Sequence, residues 1–75
     1  MKLSITAEDL NLLKTEQIEV EENGEYSFDE ALDLLQAIYD VEAMYSDLPE
    51  NDPRAGRAKE FARLADKFST MIPEA

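Results

Sequence analysis

Apolar residues first recur at helical spacing just after Thr6. The Thr6 side chain is placed to accept a hydrogen bond from the amide of Asp9, three residues later, which is a typical helix start. Leu10 and Leu13 follow at helical spacing, and the Gln17 position interrupts the apolar stripe. The pattern predicts a helix over residues 7–16.

Residues 17–26 fit two structures. In the first, the helix extends to a stop at Asn23-Gly24, where glycine would supply a left-handed residue. In the second, apolar residues alternate with glutamates as in a strand, and a β-hairpin spans residues 18–28 with Gly24 in its loop. We prefer the hairpin and keep the helix extension as the alternative. The hairpin would bring two apolar pairs onto one face: Val20 with Tyr26, and Ile18 with Phe28.

Two longer helices follow. Ser27 and Glu30 form an S-x-x-E capping box, and no helix breaker occurs before about residue 46, which predicts a helix over 28–46. A proline-containing loop at 47–52 separates it from a helix predicted over 53–70, with Asp52 as the cap and Pro73 as the stop. The short loop predicts an antiparallel helix pair. The predicted fold class is therefore mainly α, or small α+β if the hairpin forms, in a single domain of residues 1–75.

Helix 28–46 is apolar around more than half of its circumference, so we expect it to be central and packed on several sides. In so small a chain, one flank of this surface belongs either to the ordinary core, which we favour, or to an uncovered patch that would form an interface with a partner or a second copy. The candidate interface residues are Val41, Met44, Tyr45 and Leu48. The remaining narrow polar strip predicts an acidic recognition surface made of Asp29, Asp33, Asp40 and Asp47.

Charge is abundant and unevenly placed. Eighteen acids against seven basic residues give a net charge of −11, while 44% of residues are hydrophobic, as in folded domains. Residues 1–52 hold fifteen acids and two lysines, net −13, whereas residues 53–75 are net +2. Arg57 falls early in the third helix, where the helix dipole disfavours a cation, so we predict a structural ion pair with Glu42.

The sequence lacks the residue types that most often carry catalysis. The sequence has no histidine and no cysteine, so we expect no catalytic residues, no metal and no cofactor. The acidity disfavours direct contact with nucleic acid or an anionic membrane and favours a basic protein partner. The apolar flank of helix 28–46 would also suit a homodimer. The first residues lack the apolar run of a signal peptide, and we expect a cytoplasmic location. No motif is specific enough to indicate a family.

Two functions from different classes are consistent with these residues. The first is a small acidic protein-interaction module, without catalysis, that binds a protein partner or itself through helix 28–46. The alternative is an acidic inhibitor that imitates nucleic-acid phosphates and blocks a basic nucleic-acid-binding protein. The four aspartates of the strip lie about 6 to 10 Å apart along the helix axis, which resembles phosphate spacing only loosely, so we prefer the first function.

Overall fold

The computed structural model describes residues 1–72 and contains three helices in the order α1 (Ala7–Lys14), α2 (Phe28–Ser46) and α3 (Arg57–Met71). The prediction of a mainly α fold is confirmed. Within the described residues, β-pairing is limited to one isolated antiparallel bridge between Lys2 and Glu25. The predicted stop at Pro73 lies outside the described residues.

Capping boxes start the first two helices. Thr6 Oγ1 accepts from the amide of Asp9 while the Asp9 carboxylate accepts from the amide of Thr6, both at 3.2 Å. Ser27 and Glu30 make the same reciprocal pair at 3.1 and 2.9 Å. Each box satisfies two amides near the start of its helix. The bounds of α2 agree with the predicted 28–46.

The first helix ends two residues before the predicted position. The amide of Gln17 donates to the carbonyl of Lys14, and the amide of Ile18 donates to the carbonyl of Leu13, both at 3.0 Å. This is the hydrogen-bond pattern of a Schellman motif, and Gln17 adopts the left-handed conformation that it requires, with φ of 61°. The helix extension through residues 17–26 is therefore wrong, because the chain reverses at Gln17.

The predicted hairpin is also wrong. Residues 23–26 pair with the N-terminal segment: the amide of Leu3 donates to the carbonyl of Gly24 at 3.1 Å, and the amide of Tyr26 donates to the carbonyl of Met1 at 2.7 Å. The left-handed residue of this turn is Asn23, with φ of 52°, and not Gly24. A Cβ at position 24 would lie 2.9 Å from Cε2 of Tyr26, so a larger residue there would displace the Tyr26 ring.

The third helix begins later than predicted. The Asp52 carboxylate accepts from the amide of Arg54 at 2.9 Å, as a capping residue would, but the backbone bonds that follow join residues three apart. The amide of Ala55 donates to Asp52, and that of Arg57 to Arg54, both at 3.0 Å. Residues 53–56 thus form tight turns, and the α-helix starts at Arg57 and not at Pro53.

The core lies between α2 and α3, which make the main helix–helix contact. Tyr45, late in α2, stacks on Phe61, early in α3, with ring centroids 5.9 Å apart, as expected of an antiparallel pair. The N-terminal segment completes this core, because Leu3 and Ile5 are fully buried. The buried set is Leu3, Ile5, Leu13, Ala31, Leu34, Ile38, Tyr45, Phe61, Leu64, Ala65, Phe68 and Ile72.

Candidate functional site

Most of the predicted interface of α2 belongs to the interior. Tyr45 is only 7% exposed, and its hydroxyl donates to the Glu16 carboxylate while its ring stacks on Phe61. Val41 and Leu48 are half-buried and pack against the core. Met44 is the one predicted interface residue that is strongly accessible, with 51% of its surface exposed.

A different apolar surface of α2 faces solvent. Leu32 is 40% exposed and Tyr39 is 43% exposed, while Phe28 and Leu35 are half-buried with their inner sides against the core. These four residues are spaced by four, three and four positions, so they fall within an arc of about 60° and extend for about 16 Å along the helix. We call Phe28, Leu32, Leu35 and Tyr39 the apolar ridge.

The four aspartates of the predicted recognition surface are all exposed. At about 100° per residue they share an arc of about 40°, centred about 100° around the helix from the apolar ridge. We call Asp29, Asp33, Asp40 and Asp47 the acidic strip. Asp40 also accepts a hydrogen bond from Nε2 of Gln36 at 3.0 Å, on the same solvent face. Met44 lies beyond the acidic strip, on the side away from the ridge.

The predicted ion pair between Glu42 and Arg57 does not form: among residues 1–72, the side-chain ion pairs within 4.0 Å are Arg54 with Asp52 and Lys67 with Asp9. Arg57 instead lies over the Tyr45 ring, 6.0 Å from its centroid, and its Nη1 donates to Thr15 Oγ1 at 3.4 Å. These contacts offset the unfavourable dipole at the start of α3.

Tyr45 therefore connects α2 to α3 and to the turn that follows α1, and it is not free to bind a partner. The hydrogen bond to Glu16 raises the pKa of the Tyr45 hydroxyl above its ordinary value, with burial adding to the effect, because both favour the neutral phenol. Glu16 lies in the turn that closes α1, and Arg57 opens α3. The side chain that the sequence suggested for an interface is a structural anchor.

A groove of about 700 Å³ lies between α1 and α3. Asp9 and Lys67 meet there as an ion pair, with Arg63 beside them and Leu12 and Leu64 lining the floor. Burial raises the pKa of Asp9, but the hydrogen bonds from Lys67 and Thr6 outweigh it and hold this pKa below its ordinary value. Both signs of charge are present and partly neutralised, so the groove does not favour an ionic ligand.

The described residues contain no group of three or more side chains placed to hold a metal ion. None of the helices in residues 1–72 is long and apolar enough to cross a membrane. Comparisons of the chain with protein-family models, with curated proteins and with solved structures gave no match. The candidate site therefore depends on the geometry of α2 alone.

Sequence reasoning missed Leu32 and Tyr39 as surface residues and assigned both to the packed arc of α2. Their seven-residue separation places them on the same face, next to the acidic strip, and this was visible in the sequence. The sequence did not indicate which flank of the wide apolar arc its neighbours leave uncovered.

Proposed function

We propose that this chain is a non-catalytic protein-interaction module that binds a basic protein surface through the outer face of α2. The observation that carries the proposal is the apolar ridge beside the acidic strip. Exposed side chains such as Leu32 and Tyr39 on one face provide apolar area for a partner to cover, and aromatic anchors of this kind contribute strongly to interfaces. The neighbouring aspartates give that partner a preferred sign of charge.

A different protein is a better partner than a second copy. Helix α2 holds five acids and no lysine or arginine, so two copies packed face to face would bring like charges together. Like-charge contacts across an interface oppose association. The proposal accordingly favours a basic partner over the homodimer that the sequence also allowed.

A binding comparison with matched variants tests the proposal. Leu32→Ser/Tyr39→Ser removes the exposed members of the ridge, whereas Met44→Ser removes a still more exposed apolar side chain of the same helix outside it. A partner retained by the wild-type chain should bind Met44→Ser normally and the ridge variant at least about tenfold more weakly, as at interface hot spots. Equal binding to all three chains, or no partner for any of them, would overturn the proposal.

The alternative function, an imitation of nucleic-acid phosphates, is favoured by one observation: all four aspartates of the acidic strip are exposed. A phosphate mimic would compete with DNA or RNA for its target, and its binding would fall steeply with salt. It would also tolerate Leu32→Ser/Tyr39→Ser, since the ridge carries no charge. Competition by nucleic acid together with an unaffected ridge variant would select this function over the first.

A further inference from the structure

We infer that the partner segment is a basic amphipathic α-helix that lies along α2, with its apolar stripe on the apolar ridge and its cations towards the acidic strip. The inference rests on the proposed function and specifies the ligand of the same surface. It follows from the spacing of the ridge, from how its side chains are anchored, and from the placement of charge.

The spacing of the ridge matches a helical ligand. Phe28, Leu32, Leu35 and Tyr39 alternate steps of four and three residues, which is the pattern by which one helix seats another along a shared seam. The pattern ends after Tyr39, because the next two positions at this spacing are the polar residues Glu42 and Ser46. The apolar contact is therefore about three turns long, which fits a short helical segment and an affinity of about micromolar Kd.

Two residues of the ridge pack against the core, and the other two are exposed to solvent. Phe28 and Leu35 pack against the core, so their positions are fixed before a ligand arrives. Leu32 lies between these two residues along the helix and Tyr39 lies beyond them, and each has roughly two-fifths of its surface exposed. Since the supporting residues are already ordered, a ligand helix would lose little affinity to ordering the site.

The charges of α2 indicate which residues should flank the apolar stripe of the ligand helix. The acidic strip lies on one side of the ridge, and no cation of α2 neutralises it. In the register of the ridge, Asp29 takes an e position, where coiled-coil partners place complementary charges, and Asp33, Asp40 and Asp47 take the b positions beyond it. A docked helix would place the residues at its flanking positions towards this negative side. Lysine or arginine at those positions is favoured, whereas glutamate would be repelled.

Synthetic peptides of about three heptads test this inference on the full chain. The first peptide has leucine at positions a and d and lysine at e and g. The second has the same composition with leucine at alternate residues, a strand pattern, and the third replaces each lysine by glutamate. Binding is measured by anisotropy of a labelled peptide, and helix formation by circular dichroism of the mixture.

Only the lysine heptad peptide should bind with micromolar affinity, and it should gain helix when bound. Leu32→Ser/Tyr39→Ser should weaken this binding about tenfold, while Met44→Ser should leave it within about twofold. Asp33→Asn/Asp40→Asn should reduce both the affinity at low salt and its salt dependence, whereas Asp66→Asn, an exposed acid of α3, should change neither.

Equal binding by the strand-pattern peptide, a bound peptide without helix, or indifference to the ridge variant would overturn the inference. The two proposals fail separately. A protein partner that depends on the ridge, combined with no binding of the lysine heptad peptide, would refute the helical ligand and leave the proposed function standing. Loss of both would refute the proposed function itself.

Discussion

Replacing Ile5 by alanine should be among the most damaging single changes in this chain. Ile5 is completely buried, and its carbonyl accepts from the amide of Asn23 at 3.3 Å, although it lies only five residues from the start of the sequence. Removing a buried isoleucine side chain costs about 2 to 5 kcal/mol, because apolar contact is lost and a cavity is left. A chain of this length has a free energy of unfolding of about 4 to 11 kcal/mol.

A loss of about 3 kcal/mol would therefore remove between a quarter and three-quarters of the stability. At about 4 to 8 °C per kcal/mol for a domain of this size, the Tm should fall by about 12 to 24 °C. In urea, with an m value of about 1.5 kcal/mol/M, the unfolding midpoint should fall by about 2 M. Both transitions are followed by far-ultraviolet circular dichroism.

Two controls bracket this result. Ile5→Val keeps most of the buried volume and should cost about 1 kcal/mol, while Ser4→Ala changes an exposed neighbour and should stay within about 0.5 kcal/mol of the wild type. If Ile5→Ala unfolds at the same urea concentration as Ser4→Ala, the N-terminal segment does not belong to the core, and the argument from burial is refuted.

Three further predictions concern other contacts. Tyr45→Phe should remove from an ultraviolet titration a tyrosine that ionises above its ordinary pKa, since the Glu16 hydrogen bond raises the pKa of Tyr45. The associated stability is present below the ordinary tyrosine pKa and is lost as pH rises through the raised value. Asp9→Asn should flatten the acid limb of the stability curve, because the hydrogen bonds from Lys67 and Thr6 lower the pKa of Asp9; their contribution is present above the ordinary aspartate pKa and is lost as pH falls through the lowered one. Gln17→Gly should raise the free energy of unfolding by up to about 1 kcal/mol, and the Tm with it, since glycine adopts a φ of 61° without strain.

Each of these outcomes has a clear contrary. An unchanged late-titrating tyrosine in Tyr45→Phe would assign that titration to another residue. An acid limb of equal steepness in Asp9→Asn would show that the contact with Lys67 is absent in solution. A lower Tm for Gln17→Gly than for the wild type would contradict the Schellman assignment at the end of α1.

The helices could be predicted wherever their signals are local. The capping box of Ser27 and Glu30 spans one helical turn and fixes the start of α2 without reference to the rest of the chain. The start of α3 was misplaced because an Asp-Pro sequence suits either a helix or a tight turn, and both use the Asp52 carboxylate in the same way. The end of α1 was missed because glutamine rarely occupies a left-handed position.

The N-terminal segment carried a signal that sequence reasoning did not use. Leu3 and Ile5 are apolar, Lys2, Ser4 and Thr6 are polar, and the buried and exposed residues alternate in the same order. This two-residue period is typical of a half-buried extended segment. Its pairing with residues 23–26, across 18 to 25 positions, replaced the hairpin that was expected within residues 18–28.

The sequence by itself determined that the chain is mainly helical, that α2 begins after Ser27, and that the acids concentrate in residues 1–52. Only the tertiary structure decided which apolar side chains of α2 stay in solvent. Tyr39 and Tyr45 have the same side chain on the same helix, yet one is 43% exposed and the other 7%. Helix caps act within one turn, whereas the burial of a side chain depends on which distant segments pack against it. Phe61 and Glu16 contact Tyr45, and Tyr39 remains uncovered.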